Sequence, residues 1–101
     1  MRGHGTKLES HGAVLVVALG TTQSEGRLVV QNCMKKIQDA YPKAEVTYAF
    51  TSEPVRLVLK EQGEEVPGPL AALATLIDKG HSQIVVQPLF LTPGARYHEL
   101  Y

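Results

Sequence analysis

The chain has 101 residues, with ten basic and ten acidic side chains and a formal net charge of zero. That length allows one domain at most, burying somewhat over ~60% of its unfolded surface. The balanced charge argues against a nucleic-acid binder, which would select a basic surface, and against electrostatic attachment to anionic membranes. No apolar stretch approaches the roughly 18 residues of a membrane span.

Residues 1–12, MRGHGTKLESHG, mix glycine and charge without periodicity and are expected to be a flexible lead-in to one domain over residues 13–101. His4 and His11 in it have no positioned partner for a metal. Arg2 and Lys7 ahead of the apolar run Ala13 to Leu19 imitate a signal peptide. The run is short, however, and no small-residue cleavage site follows it. The single cysteine, Cys33, excludes an internal disulfide and suits a reducing, cytoplasmic compartment.

The run AVLVVALG, Ala13 to Gly20, is continuous, apolar and rich in β-branched residues, the pattern of a strand buried on both faces of a parallel sheet. Thr22 to Glu25 has capping-box spacing. Val30, Cys33, Met34, Ile37 and Tyr41 then define one face of a helix, with Cys33 as a buried free thiol. Pro42 disfavours helical backbone at Tyr41 and ends it. EVTYAF alternates Val46, Tyr48 and Phe50 against Thr47 and Ala49 and reads as a second strand.

Ser52 is a plausible cap for the next helix, with Pro54 in its first turn and Gly63 as its stop. EEVPGPL is a loop, and Leu70, Leu73, Ala74 and Ile77 mark the inner face of a third helix that stops at Gly80. Gln83 to Phe90 forms the third strand, with Pro88 late enough for a strand end or an edge. Strand, helix, strand, helices, strand predicts an α/β fold, a three-layer parallel sheet of flavodoxin-like type. The most apolar strand is central, giving the order 2-1-3.

In such a sheet, ligands bind beyond the carboxyl ends of the strands where the strand order reverses. The loops LGTTQSEG and LTPGARYHEL face each other there. Gly20, Thr21 and Thr22 precede a helix N-terminus, which favours a carboxylate or phosphate; simple helix capping is the alternative. In the second loop, His98 beside Glu99 suits a metal ligand or general base, and Arg96 a bidentate carboxylate clamp. Thr51 and Ser52 follow the second strand and cap the next helix. Neither nucleotide-binding fingerprint, GxGxxG or GxxxxGK[ST], is present, and no nucleotide cofactor is expected.

With these segments placed, the sequence resembles the N-terminal half of the anaerobic cobaltochelatases, the ATP-independent class II chelatases that insert Co2+ into sirohydrochlorin. The matching pieces are VLVVALGTT, YAFTSEPVRLVLKEQG and PLAALATLIDKGHSQIVVQPLFLTPGARYHEL, together spanning residues 13 to 100 in one register. The resemblance implies one lobe of a two-lobed α/β chelatase fold related to ferrochelatase, whose cleft grips a tetrapyrrole edgewise. In that family a few His and Glu side chains bind the metal and take up pyrrole protons, most of them from the C-terminal half in long members.

Carried onto this chain, the resemblance implies His98 and Glu99 as catalytic groups and His98 as metal ligand. It implies Gly20, Thr21, Thr22, Thr51, Ser52 and Arg96 as tetrapyrrole contacts. Co2+ is the expected substrate metal, with Ni2+ or Fe2+ accepting the same ligands. The expected role is metal insertion in cobalamin biosynthesis, as a homodimer or as part of a longer enzyme. The alternative is a non-catalytic tetrapyrrole- or metal-binding module. Arg96 departs from the family, which has an acidic residue there, or a His in short homodimeric relatives. A guanidinium cannot ligate Co2+. Were no strand to follow the third, its edge would favour pairing with another chain.

Overall fold

Within residues 12–90, which the computed structural model describes, the apolar run Ala13–Ala18 forms a strand, β1, with a parallel neighbour on each side. The remaining elements are α1 (Ser24–Ala40), β2 (Glu45–Phe50), α2 (Glu53–Glu61), α3 (Pro69–Asp78) and β3 (Ile84–Pro88). The sheet order β2-β1-β3 is the expected one. The lead-in lies outside the described residues except for Gly12. That glycine is already part of the fold, buried and accepting the Glu45 N–H at 3.2 Å.

Register builds two cores from one sheet. Ala13 pairs with Glu45 and Ile84, and Val17 with Ala49 and Pro88. Alternation then puts Ala13, Leu15, Val17, Ala49 and Ile84 on one face. They pack there with Ala72, Leu73 and Leu76 of α3. The opposite face carries Ala18 and Phe50, which pack with Val30 of α1, Leu59 of α2 and Val66. Moving from β1 to β2 and then across to β3 reverses direction in the sheet, so crossovers of one hand must use opposite faces. Hence α1 and α3 lie on opposite sides and the molecule has three layers.

Local chemistry sets most of the boundaries. Tyr41, ahead of Pro42, leaves helical geometry at φ −131. Ser52 Oγ accepts the Val55 N–H at 3.3 Å, with a proline in the first turn of α2. Gly63 and Gly80 adopt positive φ just past α2 and α3.

Three expectations are corrected. The cap of α1 is Gln23, without a side-chain bond, in place of a Thr22–Glu25 box. Thr21 Oγ1 accepts the Gln23 N–H at 3.0 Å instead, because Gly20 at φ +118 turns the chain early and brings Thr21 against the helix. The inner face of α3 is Ala72, Leu73 and Leu76, leaving Leu70 and Ile77 exposed. PLAALATLID is apolar almost all round, so spacing alone does not pick the buried stripe. Cys33 is half-buried and free rather than buried.

The two outer strands differ. On β2 the Phe50 N–H donates outward to Pro67 O at 3.1 Å, so the segment before α3 runs along that edge. On β3, Gln83 O accepts from Ala13 and the Leu89 N–H donates to Val17 O. Odd-numbered residues of β3 therefore bond to β1, and Ile84, Val86 and Pro88 direct their backbone groups away from it. Val85, Val86, Gln87 and Pro88 are exposed.

Candidate functional site

The carboxyl ends of the three strands form one rim. Past β1 come Leu19 and Gly20, past β2 come Thr51 and Ser52, and past β3 come Leu89 and Phe90. Two hydrogen bonds hold the first two loops side by side: the Thr51 N–H donates to Ala18 O at 2.9 Å and the Ser52 N–H to Leu19 O at 2.8 Å. Of the predicted contacts, Gly20, Thr21, Thr22, Thr51 and Ser52 thus share a single rim. His98, Glu99 and Arg96 lie outside the described residues.

The five are not chemically equivalent. Ser52 Oγ is engaged in capping α2, and Thr21 Oγ1 in holding the Gln23 N–H. The Thr21 side chain also packs on Gly26, where a Cβ would lie 2.6 Å from the Thr21 methyl. Thr22 and Thr51 are exposed. The Arg27 N–H makes the first intrahelical bond, to Gln23 O at 2.9 Å. Ser24, Glu25 and Gly26 precede it, so the positive end of the α1 dipole reaches the rim without a side-chain cap.

Gly20 is required where it stands. At φ +118, L side chains are strained, and a Cβ would come within 3.0 Å of Phe50 Cβ and Cγ. Phe50 is itself fully buried and fixes how closely the β1 loop approaches β2.

Sequence reasoning missed the polar framework behind this rim. Arg27 pairs with both oxygens of Glu64, bonds Tyr48 Oη at 3.3 Å, and lies 5.6 Å over the Phe50 ring. Tyr48 Oη donates to Glu64 Oε2 at 3.0 Å. The bond from Arg27 holds the Glu64 carboxyl below its ordinary pKa and the guanidinium above its own, while burial pushes the Tyr48 phenol up. Arg56 Nη1 donates to Phe50 O at 2.8 Å and packs against Gly68. It ties the end of β2 to the start of α3. The partners are far apart in sequence, 37 residues for Arg27 and Glu64, so no local spacing signals them.

A second charged cluster sits at the opposite, amino end of the sheet. Glu45 bonds Lys79 Nζ at 2.6 Å and His81 Nε2 at 2.7 Å, the Lys79 bond being the larger cause of its lowered pKa. Among the described residues no three His, Cys, Asp or Glu groups converge as a metal site. No described helix is long and apolar enough to cross a membrane.

A parallel sheet in the order β2-β1-β3 with helices on both faces is the three-layer α/β lobe the sequence implied. The profile of the cobalt chelatase (CbiK) family matches residues 12–101, and the chain belongs to that family. The chain is 26% identical over 87 residues to the sirohydrochlorin cobaltochelatase CbiKC of Nitratidesulfovibrio vulgaris. That match covers 86% of this chain and 31% of the relative, so the chain spans about a third of the relative's length.

Proposed function

We propose that this chain supplies the N-terminal part of a chelatase site that inserts Co2+ into sirohydrochlorin, a step of cobalamin biosynthesis carried out in the cytoplasm. The observation that carries the reading is the α1 N-terminus just past the carboxyl end of β1, where the cap residue Gln23 makes no side-chain bond, in a chain of the cobalt chelatase family. A helix N-terminus favours the carboxylates that fringe such a macrocycle, and Arg96 adds a charge-assisted, bidentate partner for one of them. Thr22 and Thr51 offer hydroxyls to the same periphery, and Gly20 lets the backbone approach it closely.

The chemistry exchanges two pyrrole N–H protons for the entering metal ion. His98 and Glu99 are suited to accept those protons near neutral pH, and His98 to hold Co2+ as it enters. Ni2+ or Fe2+ would accept the same ligand types. A second copy of the chain, or a C-terminal lobe, completes the cleft. A non-catalytic tetrapyrrole or metal carrier is the second reading, favoured by Arg96 at a position where a metal ligand would be expected.

Anaerobic visible absorption of sirohydrochlorin with Co2+, followed at rising concentrations of the chain, tests the proposal. Insertion above the uncatalysed rate, growing more steeply than linearly with protein, is the expected result for two copies assembling one cleft. A spectral shift without acceleration makes the chain a carrier, and no change in either overturns the proposal. Unchanged insertion in His98→Ala would remove that residue from the chemistry.

A further inference from the structure

α3 carries two apolar stripes, and the core uses one of them. Ala72 and Leu76 are buried against the sheet. Leu70, Leu73, Ala74 and Ile77 are spaced three, four and seven residues apart, which puts them on a second face of the same helix. Leu73 is half-buried at the margin of the core, whereas Leu70 is 82% exposed, Ile77 is 57% exposed and Ala74 is exposed. The other helices are punctuated by charge, Lys35, Lys36 and Asp39 in α1 and Glu53, Lys60 and Glu61 in α2. α3 has no charged residue before Asp78, its last. A helix apolar all round is ordinarily covered all round.

The outer stripe is complementary to itself. When two copies of α3 lie antiparallel about a twofold axis between positions 73 and 74, Leu70 of each meets Ile77 of the other. The small Ala74 near the axis lets the helices approach closely. A patch that fits its own copy in this way is what a closed dimer requires.

The charges select the same arrangement. Gly68 caps α3 without a side-chain bond, no acidic residue stands in the first turn and no basic one in the last. Asp78, exposed at the C-terminal end, opposes the dipole of its own helix. It lies seven residues from Ala71 and therefore on the same flank as that first-turn residue. In an antiparallel pair like flanks meet, so Asp78 of each copy sits beside the positive end of the other helix.

We infer that the outer stripe of α3 is a contact between two copies of this chain, paired antiparallel through Leu70, Ala74 and Ile77. The inference is independent of the chelatase reading. α3 starts beside Pro67, which accepts the Phe50 N–H at the carboxyl end of the sheet, and ends at Lys79, which bonds Glu45 at the amino end. Antiparallel pairing thus directs the two rims to opposite ends of the dimer and leaves both open. A ten-residue helix is roughly 15 Å long. Two of them cover less than the ~800 Å² per partner of a standard interface, so the dimer is a weak, reversible one.

Sedimentation velocity of the full chain, from micromolar to millimolar concentration, supplies the test. Leu70→Ser is expected to weaken dimerisation about a hundredfold, since each dimer loses two apolar side chains. Leu70→Met should hold it within about threefold, and Asp78→Asn should weaken it about threefold to tenfold. Leu28→Ser, at an exposed site on α1, should leave it unchanged. In a Cys33→Ser background, Ala74→Cys should form an interchain disulfide on oxidation. Because Leu70 is exposed, the dilute Leu70→Ser chain should melt as the wild type does. A chain monomeric at millimolar concentration would overturn the inference, as would a dimer that Leu28→Ser disperses as readily as Leu70→Ser. A dimer indifferent to Asp78→Asn and not cross-linked through Ala74→Cys would overturn the antiparallel arrangement.

Discussion

At the β2 edge the chain folds over itself. The segment 64–67 runs alongside the strand, Val66 is buried against Phe50 and Leu59, and Glu64 is clamped by Arg27 and Tyr48. At the β3 edge, four of the five strand residues are exposed and half-exposed valines point to both faces of the sheet. Both strands pair with the same central partner, so hydrogen bonding to β1 does not separate them. What separates them is side-chain cover. Among the described residues, the stabilising side-chain contacts are concentrated on the β1–β2 half, and β3 is the less covered strand.

The largest expected effect breaks that comparison by mutation. Phe50→Ala removes a fully buried ring from beneath Gly20 and from beside Arg27. It should cost about 3–5 kcal/mol in urea unfolding at fixed protein concentration. Val86→Ala, on the uncovered strand, should cost within about 1 kcal/mol. Equal losses would mean that both halves are equally packed in solution.

A smaller contrast sets two glycines against each other. Both have positive φ, +118 at Gly20 and +89 at Gly63, but a Cβ meets Phe50 at the first and nothing within 4 Å at the second. Gly63→Ala should lose about 1 kcal/mol from backbone strain alone, and Gly20→Ala about 2–3 kcal/mol because contact adds to strain. Gly20→Ala should also weaken sirohydrochlorin binding, whereas Gly63→Ala should not. A reversed order in thermal unfolding would refute the close approach at Gly20.

Acid gives the smallest effect. Glu64 and Glu45 both have carboxyl pKa values lowered from 4.5, by bonds from Arg27 and from Lys79 respectively. A carboxyl that binds its proton less readily when folded stabilises the fold above its ordinary pKa. That contribution disappears as pH falls through the depressed folded value. The melting temperature should therefore drop between about pH 5 and 3, and Glu64→Gln and Glu45→Gln should each flatten the drop. Because both carboxylates are partly exposed, each contributes within about 1 kcal/mol. An unaltered pH profile in both variants would show the ion pairs to be energetically silent.

The sequence reveals the order of the elements because each is punctuated locally. Pro42, Ser52, Gly63 and Gly80 act within a turn of where they stand, and β1 is too apolar to sit anywhere but the centre. The buried side of α3 was not legible, since Leu70 and Ile77 match the helical period as well as Ala72 and Leu76 do. Nor was the true cap of α1, which depends on a glycine turn and a Thr21 contact with Gly26. Five of the predicted rim residues do share one rim because strand ends, unlike side-chain partners, follow from topology. The framework of Arg27, Glu64, Tyr48 and Arg56 exists only once distant segments meet.

Pro88 sets a limit on what can be added to the sheet. It sits in the outward-facing backbone row of β3, where it has no N–H to donate. An incoming strand could zip onto the amide groups of Ile84 and Val86 but would find a missing tooth before the rim. The edge therefore lacks one donor at the strand's end, which is where any added pairing would be weakest.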